Sequence, residues 1–133
     1  MLQQTTVNAV IPYYKRFIEK FKTLESLAQT PLEEVIPYWA GLGYYSRVKN
    51  LHKASKMIYE KKSFPKTYKE LLTFPGFGPY TARAVSALAF NEKTGVLDAN
   101  VIRVLSRYTG FKDTWWSASG LSLIHISEPT RPY

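Results

Sequence analysis

The sequence predicts an all-α fold. Apolar residues recur at helical spacing through most of the chain up to Tyr108, and capping residues or prolines stand where these segments begin. No stretch alternates between apolar and polar residues long enough to indicate a β-sheet. With 133 residues, of which 45% are hydrophobic, the chain can bury one sizeable core.

Two helices are predicted in the first third of the chain. The first begins at Thr5 or Thr6, and Pro12 indicates that it bends or restarts there. Its buried stripe consists of Val10, Tyr13, Phe17 and Phe21. The second has Thr30 as N-cap and Pro31 at its first position. Its buried stripe consists of Leu32, Val35, Ile36 and Trp39.

A Gly-Leu-Gly sequence at residues 41–43 ends the second helix, and a long helix follows from about Tyr44 to Glu60. The apolar face of this long helix is predicted to contain Val48, Leu51, Ala54, Met57 and Ile58. Thr67 opens a short helix that ends near Leu72.

A compact bend follows at residues 74–79, with the sequence FPGFGP. The helix after the bend contains Thr81, Val85, Leu88 and Phe90. Asp98 then has the position of an N-cap for a further helix, which carries Val101, Val104, Leu105 and Tyr108. Residues 117–133 show no helical stripe or strand pattern, and we expect them to be disordered or foreign to the fold.

Composition restricts the possible chemistry. The absence of cysteine excludes disulfides, thiolate nucleophiles, thiolate zinc sites and cysteine-held iron–sulfur clusters within this chain. His52 and His125 are its only imidazoles, which excludes a multi-histidine metal site. No apolar run reaches the ~18 residues of a membrane helix, and no signal-peptide pattern follows Met1, so we expect an intracellular protein without a membrane partner. The net charge of +8 favours a polyanionic partner.

The bend at residues 74–79 is the first candidate for function. Gly76 and Gly78 allow positive φ angles and close approach of another backbone, and Pro79 suits a helix start. Amides at the start of the next helix can bind a phosphate oxygen, helped by the helix dipole. The alternative is a plain helix–helix turn. Neither nucleotide-binding loop fits, because a third glycine at the Rossmann spacing and a Gly-Lys-Ser/Thr sequence are both missing.

Two further candidates lie outside the bend. Asp98 follows an apolar stretch and places a carboxylate at a helix start, where it is an ordinary cap, a catalytic group or both. Residues 41–47, with the sequence GLGYYSR, offer aromatic rings that can enter a base stack, although Tyr45 is expected to pack in the core. Six Lys and Arg against one Glu between Tyr44 and Lys62 favour contact with a polyanion over a merely solvated face.

Five segments in this order resemble the adenine DNA glycosylases of the MutY family, within the helix-hairpin-helix glycosylase superfamily. They are MLQQT at residues 1–5, GLGYYSR at 41–47, NLHKA at 50–54, PGFGPYTA at 75–82 and LDANV at 97–101. The resemblance covers residues 1 to about 116. It implies a monomeric enzyme that flips adenine, mispaired with 8-oxoguanine or guanine, out of double-stranded DNA and cleaves its N-glycosidic bond.

The resemblance also implies a role for individual residues. Asp98 faces C1′ as positive charge develops on the sugar, supported by Tyr80 and Asn100. Gly76 and Gly78 hold the DNA backbone near the flipped nucleotide. The other residues expected to contact DNA are Gln4, Thr5, Gly43, Tyr44, Arg47, Tyr80 and Thr81, with Tyr44 as a wedge beside 8-oxoguanine and Gln4 and Thr5 around the flipped adenine's partner.

The closest rival is the endonuclease III branch, whose members carry a lysine where Tyr80 stands and form a Schiff base with C1′. No lysine lies between Phe74 and Asn91, and Asp98-Ala99-Asn100 differs from the Asp-Thr-His usual in that branch. A monofunctional glycosylase is therefore the better interpretation. A non-catalytic helix-hairpin-helix DNA-binding module is the alternative.

The resemblance implies further parts that are absent from this sequence. The family has a general-acid glutamate two residues before the methionine that is Met1 here, so we expect this chain to be inactive or weak. Full-length members also hold a [4Fe–4S] cluster through four cysteines. We expect residues 1–97 to form a six-helix-barrel domain that is incomplete at its N-terminus, residues 98–116 to begin a second, iron–sulfur helical domain, and residues 117–133 to be an unrelated tail.

Overall fold

The structure, a computed structural model, describes residues 1–2, 5–96 and 98–112. These residues form helices joined by turns and contain no strand, which confirms the predicted all-α class. None of their helices is both long and apolar enough to cross a bilayer. The helices are α1 (Val7–Lys20), α2 (Leu24–Gln29), α3 (Leu32–Val35), a 3₁₀ turn (Ile36–Tyr38), α4 (Ser46–Lys61), α5 (Tyr68–Leu71), α6 (Pro79–Phe90) and α7 (Ala99–Thr109).

The chain divides into two compact units. The first comprises Met1–Pro65 and Phe74–Gly76, and the second comprises Lys66–Thr73 and the described residues from Phe77 onward. The domain boundary expected at residues 97 and 98 remains a prediction. The predicted tail at residues 117–133 lies outside the described residues.

A hydrophobic cluster that contains three aromatic rings forms the centre of the first unit. The Phe17 ring lies 4.9 Å from the Phe21 ring and meets the Trp39 ring edge-on at 6.3 Å. The predicted α1 stripe is therefore largely confirmed, although Tyr13 is only partly buried. Burial of these rings stabilises the unit. The cluster consists of Val10, Phe17, Phe21, Leu27, Val35, Trp39, Leu42 and Val48.

The segment around Thr30 differs from its predicted conformation. Helix α2 is absent from the predicted helices, and it begins with a capping box between Thr23 and Ser26. Pro31, not Thr30, occupies the N-cap position of α3, and the Thr30 hydroxyl instead donates to the Ser26 carbonyl at 2.6 Å. The predicted single helix is also wrong, because Pro37 has no N–H to continue the α-helical pattern and the chain tightens into the 3₁₀ turn.

The buried face of helix α4 differs in part from the one predicted. Val48, Ala54 and Ile58 are buried as expected, but Leu51 and Met57 are each 36% exposed. His52 and Ser55 are buried in their place. His52 is accommodated because its Nε2 lies 2.8 Å from the Thr30 carbonyl oxygen, and Ser55 donates to the carbonyl of His52. Both buried polar side chains are thus hydrogen-bonded.

A polar network also joins α2 to α4. The Tyr59 hydroxyl donates to the Glu25 carboxylate at 2.8 Å, and the Gln29 amide donates to the Tyr59 oxygen at 3.1 Å. The hydrogen bond to Glu25 and its negative charge raise the pKa of the Tyr59 phenol. The phenol therefore stays protonated, and remains a donor, to a higher pH than an ordinary tyrosine.

Local capping rules account for the helices of the second unit. Thr67 caps α5 through the Glu70 amide, and the Glu70 carboxylate accepts from the Thr67 amide, as a capping box requires. Helix α6 begins with Pro79 and packs against α5. Asp98 caps α7, which confirms the helix start predicted there.

Candidate nucleic-acid interface

The bend before α6 has one glycine that the backbone requires and one that it does not. Gly76 has φ +84, and a Cβ added there would lie 3.0 Å from the Asn50 Cβ. Gly78 has φ −74 and ψ 173, a conformation open to any residue, and a Cβ added there would meet nothing within 4 Å. Gly76 therefore builds the bend, whereas the space beside Gly78 allows another molecule to approach the backbone.

The start of α6 has the arrangement expected of an anion-binding helix terminus. Pro79 occupies the first position, where its missing N–H removes no helical hydrogen bond. The Ala82 amide is the one that donates to the Gly78 carbonyl, at 2.9 Å. The positive end of the helix dipole lies at this terminus and favours a bound anion. The Tyr80 side chain, 46% exposed, lies at this terminus.

Asp98 is fixed at the start of α7. Its Oδ1 accepts a hydrogen bond from the Val101 amide at 2.7 Å, and the residue is partly exposed. The cap uses one carboxylate oxygen and holds the group in a single orientation. Asn100, in the first turn of the same helix, is exposed. The structure thus provides a rigid carboxylate that is partly open to solvent.

A polar clamp holds the loop that leads towards Asp98, and sequence analysis missed it. The Arg83 guanidinium donates to the Thr94 hydroxyl at 2.6 Å and lies 4.2 Å from the centre of the Tyr68 ring. The Tyr68 amide donates to the Glu92 carboxylate at 2.7 Å. These contacts join α5, α6 and the loop after α6. The long sequence separation of the partners leaves no local pattern from which to predict them.

Residues 41–44 form a turn with three left-handed residues. Gly41 has φ +103, and a Cβ there would overlap the Tyr13 hydroxyl. Gly43 has φ +67, and Tyr44 follows with φ +50 although it carries a large side chain. Tyr44 is 62% exposed. A bulky residue in this conformation costs about 1–2 kcal/mol and persists only where its surroundings impose it.

Arg47 holds this turn from the inside. One guanidinium nitrogen donates to the Met1 carbonyl at 3.0 Å, and the other donates to the Leu42 and Gly43 carbonyls at 3.0 and 3.3 Å. The second nitrogen also lies 3.5 Å from the Thr5 hydroxyl oxygen. The partly buried guanidinium therefore bonds to two separate segments of the first unit.

The remaining predicted residues lie in different environments. Tyr45, expected in the core, is 44% exposed, so that expectation is wrong. Gln4 lies outside the described residues, whereas Thr81 lies in the first turn of α6. Exposed Lys49, Lys53 and Lys56 form a basic stripe on one face of α4.

No metal site accompanies these features in the described residues, which contain no group of three or more His, Asp or Glu side chains that could hold an ion. The residues present also do not fit the iron–sulfur cluster that the resemblance implies for full-length members, because the chain has no cysteine.

Comparisons with known proteins agree with this geometry. A family model described as HhH-GPD superfamily base excision DNA repair protein matches residues 1–119. The adenine DNA glycosylase of Buchnera aphidicola subsp. Baizongia pistaciae is 44% identical over 110 residues, which cover 81% of this chain and 31% of that protein. The Homo sapiens adenine DNA glycosylase is 47% identical over 110 residues, which cover 80% of this chain and 20% of the relative. The chain thus spans less than a third of the length of these relatives.

Solved structures give the same result for the fold. A thermostable thymine-DNA glycosylase aligns with a TM-score of 0.82 and 29% identity, over 95% of this chain and 59% of that one. A trapped endonuclease III–DNA covalent intermediate aligns with a TM-score of 0.79 and 30% identity, over 96% of this chain and 62% of that one. Each of these proteins shares the helical framework that carries the bend and the capped carboxylate.

Proposed function

Because this chain belongs to the HhH-GPD superfamily of base excision DNA repair proteins, we propose that it acts as a monofunctional DNA glycosylase that removes adenine mispaired with 8-oxoguanine or guanine. The observation that carries the proposal is the Asp98 carboxylate, fixed by its 2.7 Å bond to the Val101 amide. The identity of 44–48% to adenine DNA glycosylases over 110 residues supports this choice of base. The proposal places the protein inside the cell, as a monomer on double-stranded DNA.

Each part of the proposed mechanism uses a different physical property. Duplex DNA hides the glycosidic bond of adenine, so the nucleotide is first turned out of the stack at a cost of a few kcal/mol. As the bond to C1′ lengthens, positive charge develops on the sugar. The Asp98 carboxylate stabilises that charge through Oδ2, while Oδ1 keeps the cap. Tyr80 and Asn100 supply polar groups around the reacting sugar.

The second part of the proposal concerns the DNA backbone and the unpaired base. The bend around Gly76 and Gly78 and the start of α6, with Tyr80 and Thr81, hold phosphates near the turned-out nucleotide. Tyr44 enters the stack beside 8-oxoguanine and fills the space that adenine leaves. Gln4, Thr5 and Gly43 contact the same part of the duplex, and Arg47 holds the turn at residues 41–44 through the Leu42 and Gly43 carbonyls.

Excision is the direct test of the proposed function. The chain is incubated in excess with a duplex that contains one adenine·8-oxoguanine pair, and alkali then cleaves the strand at each abasic site. We expect cleavage at that adenine and none at an adenine·thymine pair. Incubation runs for hours, so that slow excision is also detected. Binding to the mispaired duplex no tighter than to the matched one, together with no cleavage, would contradict the proposal.

The two glycines of the bend give a matched pair of variants. Gly76→Ala lowers the free energy of unfolding by about 1–2 kcal/mol, because alanine disfavours the left-handed conformation. Gly78→Ala leaves that free energy nearly unchanged but weakens DNA binding, because its methyl group occupies the space where the phosphate backbone approaches. Urea unfolding and DNA titration measure the two effects. Unchanged DNA affinity in Gly78→Ala would show that the bend is not part of the DNA interface.

A non-catalytic helix-hairpin-helix module remains the second candidate, since the basic stripe on α4 and the bend suffice for DNA binding. It predicts that log K falls with log[salt] with a slope of ~0.9 for each phosphate contact. It also predicts equal affinity for the mispaired and the matched duplex. The comparison of mispaired and matched duplexes therefore separates the two functions.

A further inference from the structure

Arg47 stands apart from the other basic residues of α4. At 100° per residue, its side chain leaves the helix about 160° away from that of Lys49. The exposed stripe of Lys49, Lys53 and Lys56 thus lies on another face. The guanidinium of Arg47 instead bonds to the carbonyls of Met1, Leu42 and Gly43. Its position in the structure is that of an internal brace.

Two aromatic rings enclose this guanidinium. Its central carbon lies 5.4 Å from the centre of the buried Trp39 ring and 5.5 Å from the centre of the exposed Tyr44 ring. The Trp39 indole N–H donates to the Gly43 carbonyl at 3.3 Å, next to the Arg47 bond to the same oxygen. The distances from the guanidinium to the Trp39 and Tyr44 rings both suit cation–π attraction. Arg47 therefore connects the hydrophobic core to the ring of Tyr44.

The conformation of Tyr44 explains why such a brace is needed. Its φ of +50 is unfavourable for a bulky L-residue, and its side chain is 62% exposed, so packing against the core does not impose the conformation. The Arg47 bonds at Leu42 and Gly43 fix the backbone immediately before it. The guanidinium then attracts the Tyr44 ring itself. Planar, multidentate binding of this kind is a property of arginine that lysine lacks.

We propose that Arg47 is the positioning residue of the Tyr44 wedge, so that it contributes to DNA recognition through Tyr44 and not by binding a phosphate. The inference rests on the proposed function and deepens it, because it assigns the positioning of the Tyr44 ring to one side chain. It predicts that Arg47 variants behave like Tyr44 variants, even when the positive charge is kept.

The experiment measures how the chain unstacks a base beside the mispair. The probe is a duplex with an adenine·8-oxoguanine pair and 2-aminopurine next to the 8-oxoguanine, whose fluorescence rises when its stacking is lost. Wild type, Arg47→Lys, Arg47→Ala and Tyr44→Ala are titrated over a series of salt concentrations, together with the double variants that combine Tyr44→Ala with each Arg47 change. Lys49→Ala is the comparison for loss of charge alone, because it removes a charge from the exposed basic stripe of α4 without touching the turn. Thermal melting of each variant checks folding.

We expect Arg47→Lys and Tyr44→Ala each to abolish the fluorescence rise and to weaken binding about 10-fold, as loss of one base–aromatic stack does. The double variant of Arg47→Lys and Tyr44→Ala loses about 10-fold in affinity as well, not about 100-fold, because both changes remove the same contact. The slope of log K against log[salt] stays at the wild-type value in Arg47→Lys and in Arg47→Ala. Lys49→Ala weakens binding and lowers the salt slope, but it keeps the full fluorescence rise once the DNA is saturated.

A phosphate-binding Arg47 gives a different pattern. Arg47→Ala then lowers the salt slope by ~0.9, the fluorescence rise persists, and its loss of affinity adds to that of Tyr44→Ala. That outcome overturns the inference, as does an equal loss of the fluorescence rise in Lys49→Ala. Failure of the proposed function itself is distinguishable, because wild type would then show no preference for the mispaired duplex.

Discussion

Asp98→Asn is expected to slow adenine excision by about 10²–10³-fold while DNA affinity changes little. In the proposed mechanism the substitution removes the negative charge that faces the developing positive charge on the sugar, and electrostatic groups of this type have effects of that size. Asparagine caps helices about as well as aspartate, so the bond to the Val101 amide is kept and the melting temperature stays close to wild type.

Asp98→Ala separates the cap from the charge. It removes both, so we expect the same loss of excision as in Asp98→Asn and an additional loss of about 1 kcal/mol in the free energy of unfolding. Single-turnover excision, DNA titration and thermal melting are measured on both variants. Equal losses of binding and excision in Asp98→Asn would reduce Asp98 to a structural cap.

Phe17→Ala is expected to lower the free energy of unfolding by about 3–5 kcal/mol. Phe17 is 8% exposed and contacts the rings of Phe21 and Trp39, so its removal leaves a cavity in the centre of the first unit. The next residue is the matched control. Ile18 is 45% exposed on the same helix, and Ile18→Ala is expected to cost far less.

Urea unfolding gives both values, and Phe17→Leu provides a milder variant in which most of the apolar volume remains. Its cost is expected to fall between those of Ile18→Ala and Phe17→Ala. Similar costs for Phe17→Ala and Ile18→Ala would show that α1 buries a different face from the one described.

The parts of the fold that sequence predicts well depend on local chemistry. The caps at Thr67 and Asp98 were predictable because each side chain bonds to an amide three residues ahead. The face of α4 was less predictable, because the burial of His52 depends on the carbonyl of Thr30, 22 residues away. The hydrophobic pattern predicts that Leu51 is buried, and it does not indicate that His52 is buried instead.

The same division applies to the candidate site. The glycines at residues 41–43 and in the bend, together with Asp98, can be identified from residue types and spacing. The inward orientation of the Arg47 side chain cannot be predicted in this way, because its partner carbonyl at Met1 is 46 residues away in the sequence. The contact of Arg83 with Tyr68 depends equally on tertiary structure. Sequence therefore identified the candidate chemical groups but not the side chains that position them.

Affinity for a charged nucleotide tests the role of Asp98 without requiring turnover. Two duplexes carry, opposite 8-oxoguanine, either a cationic pyrrolidine nucleotide that mimics the charged sugar or its neutral tetrahydrofuran analogue. We predict that wild type binds the cationic duplex at least ~10²-fold more tightly, as enzymes do with transition-state mimics. Asp98→Asn should lose that preference and keep its affinity for the neutral duplex. Equal affinity of wild type for the two duplexes, or a preference that survives in Asp98→Asn, would contradict the account.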